Sequence, residues 1–148
     1  MNRIRDLRAG DIGILVNWLN EFNSSFEYPG KRPIDDECAI NFFSRFLNSP
    51  NLACVIFECG DKPVATLGFS ITPHPWNGTK VLFKAFWYAD KSHPGAGAAL
   101  LRYIMKTAKD GGVGQMVVSS MTGRVNKLLE REGFSPCEMN YIMDFEKA

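Results

Sequence analysis

The 148-residue sequence has no apolar run long enough to span a bilayer, and its first residues lack the apolar core of a signal peptide. Its 17 basic and 16 acidic residues leave a net charge of only +1. Nucleic acids and anionic membranes attract proteins with a large positive excess, so neither is expected as a partner. The length predicts a single domain over residues 1–148, large enough to enclose a hydrophobic core.

Cysteine is scarce, and its spacing excludes two kinds of site. The cysteines are Cys38, Cys54, Cys59 and Cys137, and none forms Cys-x-x-Cys. Neither a zinc pair nor a thioredoxin motif is therefore predicted, and no metal is expected. Cys54 and Cys59 lie in one strand segment, as buried free thiols would, which favours a reducing, cytoplasmic setting.

Two phosphate-binding motifs are also missing. The sequence has no Gly-x-x-x-x-Gly-Lys-Ser/Thr, which excludes a nucleotide P-loop. Gly95-x-Gly97-x-x-Leu100 lacks the third glycine of the dinucleotide fingerprint, and no long run of strand–helix repeats follows it. A strand, glycine loop and helix that occur once, late in a short chain, indicate a ligand other than those of the P-loop and the dinucleotide fold.

The most informative segment runs from residue 81 to residue 119. Residues 81–89 carry one charge, which is typical of a strand buried on both faces. Small residues follow, and then a helix with Leu100, Leu101 and Ile104 on one face ends at Gly111. Residues 115–119 predict another strand. Small side chains at a helix start expose backbone N–H groups, so the loop either binds a phosphate or is simply a tight turn.

The remaining sequence alternates between strand and helix patterns. In chain order it predicts a strand at residues 4–7, a helix capped by Asp11, a second helix from Pro33 to residues 48–50, a hairpin of strands 52–58 and 64–72, the unit of residues 81–119, a helix opened by Thr122 or Gly123 and ended by Gly133, and a final strand region at residues 134–145.

Two segments resemble the GNAT superfamily of N-acetyltransferases. Ser92-His-Pro-Gly-Ala-Gly-Ala-Ala-Leu-Leu101 is similar to the acetyl-CoA signature Arg/Gln-x-x-Gly-x-Gly/Ala and the helix that follows it. Leu128-Leu-Glu-Arg-Glu-Gly-Phe134 is similar to the family segment Leu-Tyr-Glu-Lys-x-Gly-Phe. With the order of elements, the resemblance covers nearly the whole chain. It implies the α/β (α+β) GNAT fold, with a central mixed, splayed sheet flanked by helices.

The resemblance implies direct transfer of an acetyl group from acetyl-CoA, as co-substrate, to a primary amine. The residues that it places beside the cofactor are Phe86, Trp87, Tyr88 and Ala89 along the pantetheine arm, and Ser92, His93, Gly95, Ala96, Gly97 and Ala98 at the pyrophosphate.

Three positions depart from the family pattern. Ser92 replaces the signature Arg/Gln, Leu129 stands where a thiolate-protonating Tyr is frequent, and Lys84 falls near the position of a Glu base. These departures leave two other readings open. One is an acyl-CoA-binding module without catalysis, and the other is an interaction domain without cofactor.

Three residues are candidates for the missing catalytic groups. Ser119 ends the strand beside the expected thioester, Tyr141 could reach the acceptor pocket, and Glu58 could act as a base through water. Each also has a structural interpretation: a strand-end hydroxyl bonded to backbone, a half-buried packing residue, and a solvated strand residue. The acceptor, a small molecule or a protein amine, stays open, and so does a homodimer.

Overall fold

A computed structural model describes residues 1–146 and shows one five-stranded sheet. The strands, in spatial order, are β1 (Asn2–Asp6), β2 (Leu52–Cys59), β3 (Lys62–Pro73), β4 (Lys80–Ala89) and β5 (Gln115–Val117). The first four pair antiparallel with their neighbours, and β5 runs parallel to β4. The predicted hairpin is therefore present as β2 and β3, and β3 pairs with β4.

Four α-helices and two short 3-10 turns connect the strands. The helices are α1 (Ile12–Ser25), α2 (Asp36–Ser44), α3 (Ala96–Asp110) and α4 (Gly123–Arg131), and the turns are Ala9–Asp11 and Arg45–Leu47. No helix within residues 1–146 is both long and apolar enough to cross a membrane.

Side-chain caps decide where two of the helices begin. The prediction that α2 starts at Pro33 is wrong, because the Asp35 carboxylate accepts the N–H of Cys38 at 2.9 Å and starts the helix at Asp36. The Thr122 hydroxyl accepts the N–H of Val125 at 3.3 Å, so α4 begins where the sequence predicts.

The core lies in two layers, one on each face of the sheet. Helices α1 and α2 cover one face, where Leu15, Trp18 and Phe43 pack on Ile56 of β2. Helix α3 covers the other face. The members of that second cluster are Val55, Val64, Ala65, Leu67, Phe69, Leu82, Ala96, Leu100 and Ile104. The apolar stripe predicted for α3 is thus the part of the helix that the sheet buries.

The predicted final strand is wrong, since residues 134–146 form no strand. The segment instead returns to the loop after α1, where Asp144 accepts a hydrogen bond from Arg32 at 2.6 Å. The Ile142 side chain covers Gly30, whose positive φ of 80° and missing Cβ permit that contact. Because these residues pair with no strand edge, Tyr141 and Phe145 stay exposed. An apolar run forms a strand only where a partner edge is available.

Candidate functional site

Strands β4 and β5 separate after a short parallel contact. Their pairing extends from Val81 with Gln115 to Phe83 with Val117. Strand β4 continues to Ala89 with β3 as its partner, and a register shift there places Ala85 in a bulge. Within the described chain, the other edge of β4 beyond Phe83 has no strand partner. The splayed sheet that the resemblance implied is therefore present.

A cavity of about 280 Å³ occupies this separation. Most of its lining is apolar and comes from α1, α2 and β4, with a group of hydroxyls after β5. The lining residues are Leu15, Trp18, Leu19, Phe22, Phe43, Thr66, Lys84, Ala85, Phe86, Trp87, Tyr88, Ser119, Ser120, Met121, Thr122 and Val125. An apolar cleft with a few polar groups is the usual form of a small-molecule site.

The first turn of α3 lies beyond one end of the unpaired β4 edge. Gly95 is the N-cap, the N–H of Ala96 donates to the His93 carbonyl, and the N–H of Ala99 donates to the Gly95 carbonyl, both at 3.1 Å. For the N–H groups of Gly97 and Ala98, residues 1–146 provide no acceptor. Two unpaired donors at the positive end of a helix form an anion-binding position.

The two signature glycines have different surroundings. A Cβ at Gly97 would lie 3.3 Å from the Ala89 Cβ and 3.4 Å from Trp87 Nε1, so this glycine permits close packing of helix on strand. A Cβ at Gly95 would meet no atom within 4 Å. The structure thus brings Trp87, Ala89 and Gly97 together, and their contact with a cofactor stays a prediction.

Ser92 and His93 are held by a neighbour that the sequence analysis missed. The Asp90 carboxylate accepts the Ser92 N–H at 3.0 Å and the Ser92 hydroxyl at 2.8 Å. These hydrogen bonds lower the pKa of Asp90, so the carboxylate stays ionised. The Ser92 hydroxyl also lies 3.0 Å from His93 Nδ1. Ser92 therefore closes an Asx turn, and the Asp-x-Ser spacing was the signal that could have shown it.

The aromatic side chains of β4 alternate between the two faces of the sheet. Phe86 packs on Phe43, with ring centroids 5.0 Å apart, on the side of α1 and α2. Tyr88 stacks on Trp18 at 5.1 Å and donates to the Glu21 carboxylate at 2.5 Å. Burial and then the Glu21 carboxylate raise the pKa of Tyr88, which keeps the phenol protonated. Trp87, between them, faces α3.

Lys84, a residue of the cavity lining, bridges the separating strands. Its ammonium donates to the backbone carbonyl of Ser119 at 2.9 Å. Burial lowers the pKa of Lys84, and no carboxylate of the described residues contributes to that shift. Ser119 is also one of the residues that line the cavity. An ammonium and a serine therefore lie together where β5 leaves β4.

The other two catalytic candidates lie outside the cavity. Glu58 is only 5% exposed, and its carboxylate accepts hydrogen bonds from Arg3 at 2.8 Å and Arg5 at 2.7 Å. The hydrogen bonds from Arg5 and Arg3 lower the pKa of Glu58, so it is not the solvated residue that the sequence suggested. Tyr141 is 88% exposed in the segment after α4. Neither residue contributes to the cavity lining, so of the three candidates only Ser119 is placed there.

No cluster in residues 1–146 resembles a metal site. The described chain nowhere brings together three His, Cys, Asp or Glu side chains that could hold an ion. The polar side chains of the cavity lining are hydroxyls, an ammonium and indoles, among apolar walls.

The sequence matches no protein-family model and no curated protein. Its structure matches a possible acetyltransferase from Clostridium difficile 630 with a TM-score of 0.79 and 18% identity, over 100% of this chain and 99% of that chain. A transcriptional regulator from Bacillus halodurans C-125 also matches with a TM-score of 0.79 and 18% identity, over 98% of this chain and 100% of that one. A predicted acetyltransferase from Clostridium acetobutylicum, with acetyl-CoA, matches with a TM-score of 0.75 and 18% identity, over 97% and 96% of the two chains.

The chain has the GNAT fold. The predicted fold class is confirmed, because a mixed five-stranded sheet flanked by helices is the arrangement that the resemblance implied. At 18% identity these comparisons show the GNAT fold and not the activity.

Proposed function

We propose that this protein is an N-acetyltransferase that moves an acetyl group from acetyl-CoA to a primary amine. The observation that carries the proposal is the unpaired edge of β4, which leads from the cavity to the free N–H groups of Gly97 and Ala98. An extended amide chain adds to a strand edge as a peptide does, and a diphosphate suits unpaired amides at a helix start.

The dimensions of this edge suit the cofactor. From Lys84 to Ala89, β4 extends for roughly 17 Å at about 3.3 Å per residue. That length accommodates an extended pantetheine arm, with the diphosphate at Gly97 and the thioester near Lys84 and Ser119. The side chains of Phe86, Trp87 and Tyr88 would then flank the arm.

The reaction needs no group beyond the two substrates and nearby proton carriers. The amine nitrogen attacks the thioester carbonyl carbon, the C–S bond breaks, and an amide forms. The proton that the amine loses replaces the acyl group on the CoA sulfur. We assign the transfer of this proton to the Ser119 hydroxyl, which would give its own proton to the leaving thiolate as it takes one from the amine, because Ser119 is the catalytic candidate in the cavity lining. Ser119→Ala should lower kcat by about tenfold or more.

Binding is tested by thermal unfolding with increasing acetyl-CoA, because a ligand that binds only the folded state raises the unfolding temperature. We expect a rise with acetyl-CoA and a smaller rise with S-acetylpantetheine, which has the arm without the diphosphate. Absence of any rise at millimolar acetyl-CoA would contradict the proposal and favour an interaction domain without cofactor.

A second candidate is an acyl-CoA-binding module without catalysis. The observation that favours it is the chemistry at two family positions. By the family resemblance, the buried Leu129 stands where a thiolate-protonating Tyr is frequent, and Lys84, bonded to the Ser119 carbonyl, falls near the position of a Glu base. Release of CoA thiol over a panel of amines, with mass analysis of the product, separates the two. Binding of acetyl-CoA without amine-dependent thiol release would favour the module.

A further inference from the structure

The ammonium of Lys84 has unused hydrogen-bonding capacity inside the cavity. The side chain is half-buried, and its one acceptor within the described residues is the Ser119 carbonyl at 2.9 Å. An ammonium carries three N–H donors, so two have no acceptor among the described residues.

The lining contains no acid that would neutralise this charge. None of the cavity residues is Asp or Glu. On α1, Glu21 accepts from Tyr88, which lies four residues along β4 from Lys84, or roughly 13 Å. On β2, Glu58 is held by two arginines on the β1 side. Lys84 is therefore a partly desolvated cation with apolar neighbours, and an anion is the ligand it would stabilise.

We propose that Lys84 binds a carboxylate of the amine acceptor, and that the acceptor is an amino acid or a similar amine with an apolar side chain. This inference rests on the proposed function. The carboxylate would pair with Lys84, and Leu15, Trp18 and Phe43 would contact the apolar group. A polyamine fits poorly, because its extra positive charges would be repelled by Lys84 and would find no acid in the lining.

Amine acceptors that differ only at the carboxylate test directly whether that group contributes to recognition. Phenylalanine and phenethylamine differ only by that group, and phenylalanine amide keeps the shape but is neutral there. We expect kcat/KM to be about 10- to 100-fold higher for phenylalanine than for either analogue. Phenylalanine amide has the less basic amine, so a preference for phenylalanine over the amide cannot come from a larger fraction of free base.

Substitutions at Lys84 test whether this residue causes the preference for phenylalanine. Lys84→Met keeps a long side chain without charge and should remove the preference, whereas Lys84→Arg keeps the charge and should retain part of it. Lys80→Met, which removes an exposed lysine at the start of the same strand and outside the cavity, should leave the preference unchanged. Thermal unfolding of each variant excludes a folding defect as the cause.

Binding of the two products, N-acetylphenylalanine and N-acetylphenethylamine, to the CoA-saturated protein is measured by calorimetry. This test does not depend on turnover, so it separates the inference from the proposed function. Tighter binding of the carboxylated product, lost in Lys84→Met, supports the inference even where no thiol is released. Equal affinities would overturn it. A preference for succinyl-CoA over butyryl-CoA would also overturn the inference if it disappeared in Lys84→Met. Lys84 would then bind a carboxylate of the acyl donor and not one of the acceptor.

Discussion

The indole nitrogen of Trp87 donates a hydrogen bond to the backbone carbonyl of Gly97 at 3.1 Å. The bond joins β4 to the first turn of α3, and the α-carbon of Gly97 approaches Ala89 on the same side. Packing on the strand therefore fixes the position of the free N–H groups of Gly97 and Ala98. The anion-binding position and the unpaired strand edge form one unit.

Gly97→Val should weaken both folding and cofactor binding. A Cβ here already lies 3.3 Å from Ala89 and 3.4 Å from Trp87 Nε1, so a branched side chain must push α3 away from β4. We expect a loss of about 1–3 kcal/mol in the free energy of unfolding, measured by urea denaturation, and a higher Kd for acetyl-CoA.

The matched control is Gly95→Ala. No atom lies within 4 Å of a Cβ at that position, and the φ of −88° suits alanine. Its free energy of unfolding should stay within about 0.5 kcal/mol of the parent. Equal stability and equal Kd in Gly97→Val and the parent would show that the helix does not need this close approach.

Gly68→Ala should disturb the aromatic cluster under β4. A Cβ at this β3 position would overlap the ring of Phe86, which packs edge-on against Phe43 and Phe46 at 5.0 Å each. We expect the free energy of unfolding to fall by about 1–3 kcal/mol. Phe86→Leu in the same chain makes room for the new methyl group, so the double variant should lose less than the sum of the single losses. Additive losses would show that Phe86 is not the obstacle.

Local patterns predicted the elements whose packing follows from their own sequence. The apolar face of α3 is buried as expected, because a helical stripe specifies which side meets the core. The expectation that residues 81–89 are buried on both faces holds only for Val81 and Leu82, because β5 pairs with β4 no further than Phe83, which is 40% exposed. The final strand failed because pairing needs a partner edge, which residue patterns do not contain. The interpretation of Glu58 as solvated failed because its partners, Arg3 and Arg5, are more than 50 positions away.

The candidate site was likewise predictable only in part. A short motif indicated the glycine loop and the family resemblance indicated the β4 aromatics, and their contact with a cofactor stays a prediction. The hydrogen bond from Lys84 to Ser119 was not predicted, since it depends on where β5 leaves β4. The turn that Asp90 and Ser92 form was not predicted, although the Asp-x-Ser spacing indicates it.

The ion-pair network around Glu58 should make stability depend on pH. Hydrogen bonds from Arg5 and Arg3 lower the pKa of Glu58 below its ordinary value of 4.5. The folded state thus binds fewer protons than the unfolded state in this range, so the stabilisation is complete above pH 4.5 and is lost as pH falls through the lowered pKa. Glu58→Gln should therefore be less stable than the parent near neutral pH, and the gap should narrow on acidification, as urea denaturation would show.

Glu27→Gln is the control for that experiment. Glu27 is 91% exposed and pairs with Lys31 at 3.0 Å, so solvent screens the interaction. Its stability should follow that of the parent at every pH. A gap for Glu58→Gln that stays constant down to about pH 3 would indicate a packing contribution instead of an ionic one.

The four cysteines should differ in reactivity in the order of their exposure. Cys54 is 3% exposed beside Thr66, and burial raises its pKa to about 12, so neither access nor ionisation favours reaction. Cys137 and Cys38 are exposed, and the charge of Asp35 raises the pKa of Cys38. With a chromogenic disulfide reagent at about pH 8, we expect Cys137 to react first, Cys38 next, and Cys54 only after unfolding.

Cys137→Ser should remove the fastest phase, and denatured protein should show all four thiols. Reaction of Cys54 in the native protein at the rate of Cys137 would contradict its burial between the sheet and α1.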